Sequence, residues 1–315
     1  MNLDFLMVTK TLTGLFVLIA FGYGAVKFGM INASATVHFS ALLMKVTLPC
    51  TIFISLVQKE YDPAFIYDAL IMIASGLVLY SCMLYFSKFA AKIFGVKKNS
   101  IGIWAFSTTY SNAGFVAFPI ALALLGREGL ALAVMLNMTF NITAYTLGSI
   151  EIAKDSASTS GELDMKSVIF STINFAIVLS LIFYFGRIEL PELAATSINY
   201  VSNITTPLSM LLIGMSLAKS HTQDILKNRD AWTCAAMRLI IYPLILCGLF
   251  RIFVPWSNPM ITAVIILVMA MPVASTAVIL AENYNSNADL AAEALFISNI
   301  ACIITIPLMC TLIPV

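Results

Sequence analysis

The sequence predicts an all-α integral membrane protein, with ten transmembrane helices arranged as a 5+5 inverted repeat and the fourth and ninth spans broken and crossing. Three observations predict it. The 315 residues are 60% hydrophobic and only 10% charged, with a mean hydropathy of +0.96, whereas a soluble domain carries roughly a quarter charged residues. Too few polar side chains remain to cover a water-soluble globule of this size. Second, the apolar residues fall into ten runs, each close to the about 20 residues that cross the hydrocarbon core. Third, helix-breaking residues recur at matching depth in the two halves of the chain.

The runs occupy residues 8–27, 36–57, 64–88, 100–125, 129–150, 167–186, 194–217, 231–253, 257–281 and 289–313. The first has little positive charge before it and no A-x-A cleavage pattern, so it reads as a retained span and not a signal peptide. The second carries Lys45 one turn before Pro49, and the seventh carries Pro207. Span four holds Ser111-Asn112-Ala113-Gly114 at mid-membrane, and span nine holds Met271-Pro272-Val273-Ala274-Ser275-Thr276. Asp62-Pro63, Lys97-Lys98-Asn99, Gly126-Arg127-Glu128 and Pro255-Trp256 punctuate the joints. The polar joint 154–166 reads as a flexible linker between a first half, 1–153, and a second, 167–315.

Orientation follows from Lys and Arg. Ten (Lys27, Lys88, Lys92, Lys97, Lys98, Lys154, Lys166, Lys219, Lys227 and Arg229) flank one face, and five (Lys10, Lys59, Arg127, Arg187 and Arg251) the other. The first face is expected to lie in the cytoplasm, placing both termini outside the cell membrane. A formal net charge of +1 offers no basic surface for nucleic acid. The six cysteines (Cys50, Cys82, Cys234, Cys247, Cys302 and Cys310) sit in apolar runs without a CxxC pair. His38 and His221 form no HExxH motif. Neither a disulfide framework nor a metal site is expected, and no cofactor.

Five spans is an odd number, so a second copy enters the membrane from the opposite face, as in many secondary transporters. Pro49 and Pro207 lie 158 positions apart, and a shift of 161 places Ser111 on Pro272 and Asn137 on Ser298. Non-helical backbone at membrane depth is tolerated only where it lines a cavity or is buried in protein. If spans four and nine break at one depth, they cross, and each second half-helix begins there with unsatisfied N–H groups and partial positive charge, a seat for an anion. The expected substrate-binding residues are therefore Ser111, Asn112, Ala113 and Gly114 with Pro272, Ser275 and Thr276. Lys45, Thr47 and Thr205 are expected to face them from spans two and seven. A simple kink is the alternative for each proline taken singly.

Other polar residues lie within spans. Asn137 and Asn141 stand one turn apart on span five, and Ser298 and Asn299 occupy similar depth on span ten. They either brace neighbouring helices or contact a substrate. Arg238 is expected to snorkel to the cytoplasmic surface or pair with Glu293, and Asp68 to lie near the outer surface. Proton coupling would use Asp68 or Glu293, two acids placed within spans, whereas sodium would use freed carbonyls and Asn or Ser oxygens. The residues decide neither.

Several stretches resemble the auxin efflux carrier family: Gly22-Tyr23-Gly24 through Leu48-Pro49-Cys50; Ser111-Asn112-Ala113-Gly114-Phe115 with Pro119 and Gly126; Ile213-Gly214-Met215-Ser216-Leu217-Ala218; and Pro272 with Ala281 and Tyr284. The resemblance covers nearly the whole chain. It implies a ten-helix carrier of small organic anions (a mono- or dicarboxylate such as malonate or malate, or an auxin-like carboxylate). It further implies a dimerising scaffold of spans 1, 2, 6 and 7, and a mobile transport domain of spans 3–5 and 8–10 that moves as an elevator. Plant members carry a long hydrophilic loop between halves, and the short linker here leans toward the microbial group. An anion channel and a sodium-coupled, bile-acid-like symporter are the alternatives. A channel needs a continuous polar lining, whereas here the polar residues cluster at one depth. No paired carboxylates or nucleophile with a base suggest an enzyme.

Overall fold

The computed structural model describes residues 5–32, 34–156, 172–219, 227–253 and 258–312. Most of the expected linker (157–166, with Lys166), the start of span six, His221 and the Pro255-Trp256 joint lie outside the described residues. Among the described residues the secondary structure is helical except for one isolated β-bridge. In order the helices are α1 (Phe5–Lys27), α2 (Ala35–Leu42), α3 (Leu48–Val57), α4 (Pro63–Ile93), α5 (Ile101–Thr109), α6 (Phe118–Thr143), α7 (Ser149–Ala153), α8 (Thr172–Gly186), α9 (Glu192–Lys219), α10 (Arg229–Ala236), α11 (Tyr242–Phe253), α12 (Pro259–Met269), α13 (Thr276–Asn283) and α14 (Ala288–Leu312). Among the described residues seven stretches are long and apolar enough to cross a membrane, and α8 and α12 are shorter apolar helices.

Local chemistry sets the boundaries. Asp62 and Asn258 each cap a helix that opens on proline, accepting from Ala64 N and Met260 N, both at 2.9 Å. Proline at the first helical position needs no N–H partner. Within the longer stretches, π-helical turns join α2 to α3 (Leu43–Thr47), lead into α6 (Ala113–Ala117), join α6 to α7 (Ala144–Gly148) and join α10 to α11 (Met237–Ile241). Pro49, Pro119 and Pro243 each follow such a turn by two residues. A proline lacks the N–H and crowds the carbonyl one turn back, and a locally widened helix relieves both. These prolines are absorbed without ending the helix.

Gly126 does end one. Its φ of 69° and ψ of −165° interrupt α6, a conformation that costs a glycine little. The stretch Ala113–Ala153 has 41 residues, about 60 Å if straight and thus twice the hydrocarbon thickness.

The most extensive helix contacts fall into two groups. α1 packs on α9, and α3 on both α8 and α9; separately, α4 packs on α5 and α6, α10 on α14, and α12 on α6. Glycines set the closest approach in the first group. A Cβ at Gly22 would strike the Leu211 carbonyl, and one at Gly214 the Ile19 carbonyl. The two motifs Gly22-Tyr23-Gly24 and Ile213-Gly214-Met215 are thus two sides of one helix contact. In the second group Tyr80, Tyr110 and Phe106, among the large buried side chains, cluster at the end of α5, and Trp104 packs on Phe94 nearer its start. Tyr80 stacks on Tyr110 with centroids 5.5 Å apart, and Phe106 meets Tyr110 at 4.5 Å.

Candidate substrate site at two broken helices

Two non-helical segments meet where α5 and α12 end. Tyr110-Ser111-Asn112 follows α5, and Ala270 to Ser275 follows α12. They run antiparallel and form the single bridge, Ser111 with Val273. Asn112 N donates to Pro272 O at 2.8 Å, and Ala274 N donates to Tyr110 O at 3.0 Å. Pro272 has no N–H to offer, so its carbonyl is the natural partner on this side. Each chain continues as a second helical segment, from Ala113 and from Thr276; Ala113 N donates to Ser111 O at 2.9 Å and Ala277 N to Ala274 O at 3.0 Å, and an intrahelical acceptor is lacking for the other N–H groups of a first turn.

Asn112 ties the segments together. Its Oδ1 accepts from Phe115 N at 3.2 Å, capping the segment that follows, and its Nδ2 donates to Ser275 Oγ at 3.1 Å. A short amide is well suited to this because it bonds locally to backbone while keeping a donor to spare. Behind the second segment, Val273 N donates to Ser298 Oγ at 3.1 Å. The two segments are thus held by backbone and side-chain bonds, while the buried Ser111 Oγ and Tyr110 hydroxyl find no hydrogen-bond partner among the described residues.

Two cavities flank this knot. The smaller, ≈ 180 Å³, is lined by Ser111, Asn112, Ala113, Gly114, Asn137, Asn141, Ala274, Ser275 and Thr276, with Met44, Phe115, Phe118, Phe140, Tyr145 and Ile173 supplying apolar walls. The larger, ≈ 630 Å³, shares Met44, Asn112, Phe115, Ser275 and Thr276 and adds Thr36, Val37, Ser40, Leu212, Ile213, Ser216, Ile279, Leu295 and Asn299. Thr276 Oγ1 and Asn299 Oδ1 are buried and find no hydrogen-bond partner among the described residues. Neither cavity is lined by Lys, Arg, His, Asp or Glu among the described residues.

A family model described as "membrane transport protein" matches residues 7–310. The chain belongs to this family, that of the auxin efflux carriers. It is similar to an uncharacterized transporter of Methanothermobacter thermautotrophicus, 23% identical over 300 residues that cover 95% of this chain and 96% of that protein. It is also similar to an uncharacterized transporter of Methanocaldococcus jannaschii, 24% identical over 303 residues, 93% and 94% of the two chains. Membership in a transport family, with its long apolar helices, places this auxin efflux carrier relative in a membrane.

The geometry gathers most, though not all, of the residues expected at the site. Ser111, Asn112, Ala113, Gly114, Ser275, Thr276, Asn137, Asn141 and Asn299 line a cavity, and Pro272 and Ser298 hold the break from behind. Three expected residues are elsewhere. Lys45 is exposed and lines neither cavity. Thr47 is buried with its Oγ1 3.5 Å from Leu43 O, and Thr205 Oγ1 is 2.6 Å from Thr51 Oγ1 inside the α3–α9 contact. None of these three side chains lines a cavity.

The charged residues differ as well. Arg238 neither snorkels nor pairs with Glu293: it is fully buried and bonded only to carbonyls. Glu293 instead accepts from Asn228 Nδ2. Asp68 is buried and accepts from Asn258 Nδ2 at 2.6 Å, tying α4 to the cap of α12. A third acid within the helical stretch, Glu151, was missed because the apolar run closes at residue 150 while the helix continues to Ala153. It pairs with Lys88 at 2.7 Å and Lys154 at 2.8 Å. Asp155, just beyond, accepts from Gly102 N at 2.7 Å, Ile103 N at 2.8 Å and Ser286 Oγ at 2.8 Å. Burial pushes its carboxyl above the usual range despite those donors. The aromatic wall of Phe115, Phe118, Phe140 and Tyr145 was also missed; in a sequence this apolar, nothing marks an aromatic that faces a cavity.

Proposed function

We propose that this protein is a secondary transporter that carries a small organic anion by alternating access, with the anion seated between the two second helical segments. The observation that carries this reading is the bonded knot of Asn112, Pro272, Ser275 and Tyr110, which aims two helix N-termini into a cavity without a lining charge. Helix N-termini attract carboxylates through aligned N–H groups and partial positive charge. A second carboxylate would meet no cation among the described lining residues, so a monocarboxylate with an apolar body suits the cavity better than malonate or malate.

The ten-pass reading counts the break at Gly126 as a turn between passes and treats the α5 and α12 breaks as mid-membrane discontinuities. The two packing groups support a scaffold (α1–α3, α8, α9) and a transport unit (α4–α7, α10–α14), with sliding between them as an elevator. Both cavities run from the knot toward residues near the odd-numbered joints, such as Thr36, Tyr145, Ile173 and Ser216. Those joints carry ten of the basic residues, which supports a cytoplasm-facing arrangement.

Purified protein in liposomes tests this. Labelled benzoate should be taken up under an imposed gradient with saturation at low concentration, and Asn112→Ala should lower uptake about tenfold or more at unchanged incorporation. Wild-type uptake in Asn112→Ala would remove the assigned seat, and non-saturating flux would favour a channel. Repeating the uptake with and without sodium at fixed pH assigns the coupling ion.

A further inference from the structure

Arg238 stands behind the knot, on the face opposite the cavities. It has no exposed surface. Its Nε donates to Met271 O at 2.9 Å and Nη2 to Val268 O at 3.1 Å, while Nη1 donates to Thr109 O at 2.8 Å and to Thr108 O at 3.4 Å. Two of these carbonyls end α5, and the other two end α12 or lie just beyond it. The ionisable side chains acting on it are Tyr80, Tyr242 and Cys234. Among the described residues no carboxylate forms an ion pair with it. A guanidinium keeps its proton in proteins, so a full positive charge is buried here with only carbonyl ends to balance it.

The helix dipoles supply that balance. Each C-terminal end is equivalent to roughly half a negative charge, and each N-terminal end to roughly half a positive one. The knot brings together two of each kind. If nothing intervened, the carbonyl ends of α5 and α12 would largely cancel the N–H ends at Ala113 and Thr276, only a few residues away. Arg238 is absorbed by the two carbonyl ends and leaves the two N-terminal dipoles, capped only by neutral groups, without a countercharge and with about one positive charge between them.

We propose that Arg238 is the positioning residue that sets the charge of the cargo: by neutralising both carbonyl ends, it makes the cavity take one negative charge. The inference rests on the reading of that cavity as an anion seat and adds to it the source of the selectivity and its size. The π-helical turn Met237–Ile241 that carries Arg238 turns the side chain inward at a depth where a charge is otherwise expensive. A planar fork with several donors reaches carbonyls of two helices at once, which a lysine cannot match, but a lysine would still bring the charge.

The test is binding of three ring-matched probes to the purified full-length protein, measured by calorimetry in detergent: benzoate with one charge, phthalate with two and neutral benzamide. Wild type should bind benzoate about tenfold or more tightly than either of the others. Arg238→Lys should keep the preference for benzoate over benzamide, and Arg238→Gln should lose it. That ratio separates charge from architecture, because general loosening of the site weakens both ligands alike. An unchanged ratio in Arg238→Gln, or its loss in a folded Arg238→Lys, overturns the role of Arg238 while leaving the anion seat in place. Tighter wild-type binding of phthalate than of benzoate overturns the single-charge account even if no variant folds. Wild type that binds neither anion overturns the seat itself, and this inference with it.

Discussion

One hydroxyl fastens the second broken segment to the helix behind it. Ser298 Oγ accepts from Val273 N and donates to Leu295 O, each at 3.1 Å, with no exposure to solvent. Removing it leaves a buried N–H without a partner, which costs about 1–3 kcal/mol. Ser298→Ala should therefore unfold at a lower temperature than wild type in detergent, followed by tryptophan fluorescence, whereas Ser298→Thr should retain most of the stability. Equal melting temperatures for Ser298→Ala and wild type would mean that Val273 has another acceptor. At this scale the sequence was partly legible. Short polar residues at matching depth in two halves, such as Asn137 and Ser298, could be read as a group that supports the breaks, because hydrophobic surroundings make each one conspicuous. Direction around the helix could not be read. Lys45 carries the charge expected of an anion's partner, yet a helix that is apolar on every side gives no moment from which to fix its azimuth.

Helices reveal a different limit. The breaks near Ser111 and Pro272 and the turn at Gly126 were legible because glycine, proline and asparagine have few other reasons to cluster in an apolar run. The π turns were not, since no residue type specifies them; their relation to Pro49, Pro119 and Pro243 emerges only once the helix is seen to continue through each proline. Nor was the reach of α4, whose 31 residues extend past its apolar run through a lysine-bearing turn. Glycine carries the clearest prediction here. Because a Cβ at Gly214 would collide with the Ile19 carbonyl, and one at Gly22 with that of Leu211, Gly214→Ala must push α1 and α9 apart. Inserting a methyl into such a contact costs about 1–3 kcal/mol. Thermal unfolding should show that loss for Gly214→Ala and Gly22→Ala. Gly14→Ala, on the same helix α1 but with open space around it, should be unchanged or slightly stabilised, as expected for alanine in a helix. If all three variants melt together, the close approach of α1 and α9 is not what holds this pair.

For the whole molecule, the question is which parts stay fixed while cargo crosses. The bonds that build the knot all lie within the proposed transport unit: Asn112 to Ser275, Val273 to Ser298, and Arg238 to the ends of α5 and α12. The knot can then move as one piece, past the cavity walls that Met44, Ile173, Leu212 and Ile213 supply from the scaffold. Contacts between the two groups are of another kind. Asn141 Nδ2 donates to Asn174 Oδ1 at 3.1 Å, joining α6 to α8, and such a bond between neutral amides, worth about 0.5–1.5 kcal/mol net, is easily exchanged for another. Sliding requires that this pair separate once per cycle. Cysteines at both positions, in a chain whose exposed Cys82 is replaced by serine, should form a disulfide under mild oxidation. Uptake of labelled benzoate into liposomes should then stop, and dithiothreitol should restore it, with each single cysteine insensitive to either reagent. Binding of benzoate measured by calorimetry should survive the cross-link, since Asn112, Ser275 and the two helix N-termini proposed to hold the anion all lie on one side of it. Transport that continues with the disulfide quantitatively formed would show that α6 and α8 keep their relation throughout the cycle, and the dividing line between moving and fixed parts would have to be drawn elsewhere.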